Sequence, residues 1–552
     1  MLIELCLILT STIATEPPVP PSPRATPPPM ILDTLGEYRR PVTTTSMEAR
    51  AWFDQGMALL YGFNHEGATL SFLEATRHDP GFAMAWWGIS CANGPNINDP
   101  MMTENEQAAA YVGMQRALEY IENEESPANR GLIRALQGRY TYPNPEDHSE
   151  LDLEYAKRLR VLHEQYPHDP DIAAMTAEAL MNTQSWEYWE DDGSPKGACD
   201  EFRTIIETTM LAYPMHPAAN HLYIHIMEAS PNPQRAESAA DRLSTLMPGS
   251  GHLVHMPSHI WVHTGRYEEA LECNRRGYQL DNAWFDAVPE SFDYRGYTSH
   301  NRHFLVYAAM MQGAKEDAIS VAWTMQEAPE DLIRMYAPYV DSSMAAPWHA
   351  MIRFGEWQQV LDSPMPPEWR FISVAVAHSS RAIAFANLGR SKDARAELAR
   401  FDDAVADIPD GWEMAFNPPE EGMKVMRLFT EGEMLFKEGR RSEGLAILEE
   451  AVALEDSLRY AEPPVCMQPI RHALGALLLV DGQYKKAEGV FMEDLERHPR
   501  NGWALLGLRD ALIGQERSDE AASINTSFRT AWRNADVMPP AACYCGSTMT
   551  GN

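Results

Sequence analysis

Two His-x-x-x-His pairs in this chain, His221/His225 and His255/His259, are displaced from one another by 34 residues, and His252 and His255 recur 48 residues on as His300 and His303. Thirty-four residues is the length of one helix-turn-helix repeat, so neighbouring helices should present imidazoles at equivalent positions of a stacked array. The histidines are crowded as well as phased. Eight of the eighteen fall between His221 and His303, where even spreading would put about three. The pattern points to helical repeats that carry a metal site on one side.

A second pattern gives the repeat its character. Trp52, Gly56, Ala68, Phe72, Ala75 and Pro80 place bulky and small residues at the spacings of a helix pair, and Gly475, Gly482, Tyr484, Ala487, Phe491 and Pro499 do so again near the C-terminus. Between them a turn glycine followed by a small residue recurs as Gly265/Ala270, Gly313/Ala318, Gly389/Ala394 and Gly439/Ala451. On these residues the chain resembles the tetratricopeptide-repeat superfamily, as a divergent member with a histidine-rich centre. The resemblance implies an all-α fold, a right-handed superhelical solenoid of stacked antiparallel helix pairs. It also implies that the first helix of each pair lines a concave, ligand-binding groove. Strand signals are sparse, which agrees.

The expected organisation is an apolar, signal-like segment over residues 1–15, a Pro-rich tether over 16–44, the repeat array over 45–535 with its histidine-rich centre at 216–303, and a flexible Cys-containing tail over 536–552. The signal-like match is incomplete, because Glu4 interrupts it and no basic residue precedes it. The body is expected to be soluble, cytoplasmic or secreted, since no later segment has the roughly 20 apolar residues of a membrane span. With 79 acidic against 45 basic residues, a formal charge of −34, nucleic acid is not an expected partner. Two aromatic regions, 183–197 and Asp281 to Thr298, interrupt the helical period beside the histidines and read as lids or caps.

Phased on repeats starting at Pro217, Gly251 and Ser299, the histidines fall at positions that the resemblance assigns to the concave face. Residues four apart on a helix stand about 5–6 Å apart at their β-carbons, so each pair can share one ion. Packed helices are roughly 8–10 Å apart, so the next helix can complete the site. The expected ligands are His221, His225, His252, His255, His259, His300 and His303, with Glu228 and His263 as catalytic residues. Apolar lining is expected from Trp261, Tyr223, Tyr307 and Met310. So many imidazoles suit iron or copper, or less well zinc, as one or two ions. The leading reading is a metal-dependent oxidoreductase acting on a small or extended substrate in the groove. The alternatives are a zinc-dependent hydrolase, or a peptide-binding adaptor with a protein partner and no catalysis.

Overall fold

A single aromatic ring wedged between small residues builds the repeat near both ends of the chain. In the computed structural model, which describes residues 27–292 and 294–547, the helices Met47–Tyr61 and His65–His78 form the first pair. Ser46 and Asn64 cap them by accepting from the Ala49 and Gly67 N–H groups, each satisfying a donor left open at a helix start. Phe72 is fully buried. A Cβ on Gly56, or on Gly88 of the next helix Ala83–Ala92, would lie 2.6 Å from its ring. The ring therefore sits between glycines of two successive first helices, where any side chain would force them apart. Phe491 is held the same way by Gly475 of Ile470–Val480 and Gly507 of Gly502–Gly514.

The chain divides into two compact units. Among the described residues, one holds 27–32, Glu37–Tyr188 and Lys196–Ile205, and the other holds Asp33–Gly36, Trp189–Pro195, 206–292 and 294–547. Each is built of consecutive helices packed as pairs, and the described residues contain no strand beyond isolated bridges. The fold is all-α and tetratricopeptide-like. In the second unit the pairs of interest are Pro217–Met227 with Glu237–Leu246, the kinked segment Gly251–His255 and Pro257–Thr264 with Tyr267–Ala287, and Arg295–Gln312 with Lys315–Thr324. Gly265 and Gly313 end the two later first helices at φ of 76° and 78°, the left-handed closure that glycine adopts without penalty. No described helix is long and apolar enough to cross a membrane.

Three expectations change. The signal-like residues 1–15 and the start of the Pro-rich segment lie outside the described residues, but from Pro27 that segment is packed rather than a loose tether. Arg40 is buried and pairs with Asp171 at 2.6 Å and Asp169 at 3.0 Å, which ties the strand of chain down electrostatically. The tail is not flexible through Ser547. Asp536 accepts from the Lys315 and Glu316 N–H groups at 2.7 and 2.9 Å, Tyr544 packs 6.2 Å from the Trp503 ring, and Cys545 is buried. The region Asp281 to Thr298 is mostly helix: Tyr267–Ala287 runs through its start and Arg295–Gln312 begins within it. Its aromatic residues anchor more than they cover, because Trp284 and Tyr294 are buried.

Candidate metal centre

Three successive first helices bring the histidines together, and proline and glycine set their approach. Pro217 opens the first of them, and the His216 ring accepts from the Ala219 N–H at 3.1 Å, so this imidazole is a cap. His221 and His225 then share one face, with ring centroids 4.8 Å apart. In the next first helix Pro257 removes the N–H that would bond to Leu253, and the helix breaks between Gly251–His255 and Pro257–Thr264. Behind it, Gly251 and Gly277 let the helix Tyr267–Ala287 come close: a Cβ on Gly277 would lie 3.0 Å from the Gly251 carbonyl oxygen. That approach carries Asn274 to His255.

The imidazoles form two triads. His221 Nε2 lies 3.0 Å from His225 Nε2 and 3.2 Å from His252 Nε2. His259 Nε2 lies 3.0 Å from His255 Nε2 and 3.3 Å from His300 Nε2. In each set three ligand atoms fall within 4.8 Å of one another. An ion bonded to imidazole at 2.0–2.1 Å in tetrahedral geometry spaces its nitrogens by about 3.3 Å, so each triad has the right span for one ion. Each takes two residues from one helix and one from the next.

Hydrogen bonds behind the rings fix which nitrogen faces inward. Asn274 donates its amide to the Ala270 carbonyl at 2.7 Å, which leaves its oxygen to accept from His255 Nδ1 at 2.6 Å. His225 Nδ1 donates to Glu228 Oε1 at 2.9 Å. His259 Nδ1 donates to Glu462 Oε2 at 2.7 Å, and Glu228 Oε2 closes on the same atom at 2.5 Å as an ionic contact. With Nδ1 carrying the proton on His225, His255 and His259, their Nε2 lone pairs point at the neighbouring imidazoles, and lone pairs 3.0 Å apart repel unless a proton or a metal ion lies between them. This arrangement of oriented imidazoles with carboxylate or amide acceptors behind them is what a metal centre requires.

Electrostatics divide the cluster. Burial, reinforced by neighbouring imidazoles, holds His252 and His255 well below the ordinary histidine range and His300 down to about 3, so these rings are neutral and ready to ligate. Burial opposes charge on His259 too, but the Glu228 and Glu462 carboxylates override it and push this ring up to about 10. Burial alone would raise Glu228; His259 and His225 instead hold it below the carboxylate range. A proton thus occupies the second triad in the absence of another cation, and a metal ion would take its place.

Six of the seven expected ligands, His221, His225, His252, His255, His259 and His300, are brought together. His303 is not among them: it sits half-buried with Nε2 3.3 Å from Met467 Sδ, because it lies one turn further along the helix than His300. Glu228 lies behind the rings, with its carboxylate oxygens against His225 Nδ1 at 2.9 Å and His259 Nδ1 at 2.5 Å. His263 points away from the triads to Glu462 Oε1 at 2.7 Å. The wall beside the second triad is Phe304, 4.6 Å from the His259 ring and 5.2 Å from His255. Of the expected lining, Tyr223 bonds Glu207 at 2.8 Å, Trp261 packs under Arg266, and Tyr307 and Met310 are core.

Sequence reading missed Glu462, Asn274 and Phe304. Glu462 lies more than 150 residues from the nearest triad histidine, in a Pro-rich stretch between Arg441–Glu455 and Ile470–Val480; the break in helical period there is the signal that marks it. Tyr294 falls in the aromatic region 281–298 expected to form a lid or a cap. Its hydroxyl accepts from the His252 N–H at 3.1 Å and donates to Asp281 Oδ1 at 3.0 Å, so it fixes the start of the His252 helix.

No family model matches the chain, and no curated protein does. Among solved structures, a human IFIT1 dimer with m7Gppp-AAAA is similar over 87% of this chain and 95% of its own, at 11% identity and a TM-score of 0.32. Yeast Tom70 is similar over 88% and 91%, at 10% identity and a TM-score of 0.28. Neither likeness bears on what the histidines do.

Proposed function

We propose that the second unit holds a pair of transition-metal ions, one in each histidine triad, and that the protein is a metal-dependent oxidoreductase. The observation that carries this reading is the convergence of six Nε2 atoms as two sets of three, with Nδ1 acceptors behind His225, His255 and His259. Neither triad includes a carboxylate ligand, whereas the common non-haem iron set is two histidines and one carboxylate. The all-imidazole donor set therefore favours copper over iron.

When bound, such a pair supplies two adjacent one-electron changes to a small oxidant and substrate. The protein's own residues orient and protect. Glu228 ties one histidine of each triad through its Nδ1 atom, Glu462 shares the hold on His259, Asn274 holds His255, and Phe304 keeps water from one side of the second triad. Substrate approaches past half-buried His300, since the first triad is enclosed.

Three histidines with an open position also suit zinc and a hydrolytic reaction, and the element found distinguishes the two. A peptide-binding adaptor is the second reading, favoured by the helix-pair fold itself, because such arrays are widely used as binding surfaces. Elemental analysis of the purified protein beside a His255→Ala, His259→Ala variant tests all three. About two equivalents of copper, reduced in the variant, support the oxidative reading, and zinc at that stoichiometry turns the assay to hydrolysis. No metal above background after anaerobic reconstitution would leave the adaptor.

A further inference from the structure

A second convergence of ligand-type side chains lies where the C-terminal segment meets the helix Pro419–Lys437. Glu433 is 1% exposed, Cys545 1% and Cys543 9%, and a carboxylate oxygen and the two sulfurs lie within 4.8 Å of one another. The cysteines are joined as a disulfide. Both cysteines belong to a buried apolar core that also holds Ala473, Leu477 and Ala542.

Glu433 is poorly served there. Asn387 donates to it at 3.3 Å, and Lys437, one turn on, is only half-buried and offers attraction without a close contact. Burial pushes this carboxyl up to about 7. A carboxylate sunk in a core needs strong partners, and bonded sulfurs have neither proton nor charge to give it. Separated, the same sulfurs would complete a set of three anionic donors around one point. The Cys545 N–H already aims at Cys543 Sγ at 3.1 Å, a contact that favours a thiolate.

We propose that reduction of the Cys543–Cys545 bond opens a metal site in which both thiolates and the Glu433 carboxylate bind one zinc-type divalent ion, with water as fourth ligand. A dithiol reductant supplies the two electrons and leaves as its own disulfide; the two cysteine thiols so formed lose their protons as the ion binds. Zinc bonds sulfur at about 2.3 Å and carboxylate oxygen at about 2.0–2.2 Å, distances that three side chains this close meet by small rotations. The oxidised protein cannot bind there, so occupancy follows the thiol redox state. The site shares no residue with the histidine centre.

Cobalt(II) in place of zinc gives a direct test, because thiolate ligands produce a near-ultraviolet charge-transfer band that imidazoles do not. The full-length protein is reduced with a dithiol, freed of reductant anaerobically and titrated with Co2+. The expected result is two additional thiols on reduction and a thiolate band that saturates at one equivalent. The band should vanish in Cys545→Ser, weaken at least about tenfold in affinity in Glu433→Gln, and persist in His255→Ala, His259→Ala. A thiol count that does not rise, no band in the reduced wild type, or a band that survives Cys545→Ser overturns the proposal. Any of these leaves the histidine reading standing, since its own test is metal lost on histidine substitution.

Discussion

The two histidine triads present the same donors at the same spacing, yet the protein holds them differently. The first, His221, His225 and His252, is enclosed, with Glu228 behind His225 and the Tyr294 hydroxyl on the backbone of His252. The second, His255, His259 and His300, is backed by Asn274 and Glu462, faces Phe304, and reaches the half-buried edge through His300. Glu228 reaches both, through His225 Nδ1 and His259 Nδ1. If each triad takes an ion as proposed, equal donor sets with unequal support would make the first ion the enclosed one and the second the one nearer the half-buried edge.

The largest expected effect comes from removing a triad. His221→Ala, His225→Ala and, separately, His255→Ala, His259→Ala should each lower bound metal from about two equivalents to one or fewer, with unchanged helical circular dichroism. Full metal content in either variant would break the comparison. Glu228→Gln comes next: it should weaken both ions, by roughly 10–100-fold in affinity measured by competition with a chelator, because its carboxylate orients a ring in each triad. Glu462→Gln should weaken one ion only, by about tenfold, and equal loss at both would show that the triads are not separately supported. The smallest effect belongs to His303→Ala, which should leave metal stoichiometry unchanged and affinity within about twofold, well short of the 10–100-fold loss expected when a residue that supports a ligand is removed.

The fold was legible because it rests on contacts between residues close in sequence. Gly56 and Phe72, or Gly475 and Phe491, sit sixteen residues apart in each case, and small-against-aromatic packing leaves a periodic trace. The same locality exposed the histidine pairs. The 34-residue displacement maps His221 and His225 onto His255 and His259, and the 48-residue displacement maps His252 onto His300. It fails at His255 onto His303, since His255 already belongs to the second triad and its image falls one turn too far along.

What the sequence hid was everything brought in by a partner without periodicity. Glu462 arrives from an irregular stretch outside the histidine repeats, and Asn274 reaches His255 only because Gly251 and Gly277 bring two helices into close approach. Glu228 was visible as a carboxylate on the right helix, but spacing alone does not say whether it faces the ions or stands behind the imidazoles. The tail misled through composition, because Gly and Ser beside two cysteines read as loose chain, whereas Cys543 and Cys545 are buried in the second unit and Tyr544 is half-buried against Trp503.

The kinked segment from Gly251 to Thr264 donates to both triads, His252 to one and His255 and His259 to the other. The separation of the two triads is therefore a ruler cut into a single turn of helix, which no sliding of neighbouring repeats can lengthen. It follows that copying one helix pair elsewhere in such an array would reproduce at most two residues of either triad and neither complete set, so the smallest portable unit is the block of three consecutive first helices, inherited or lost whole.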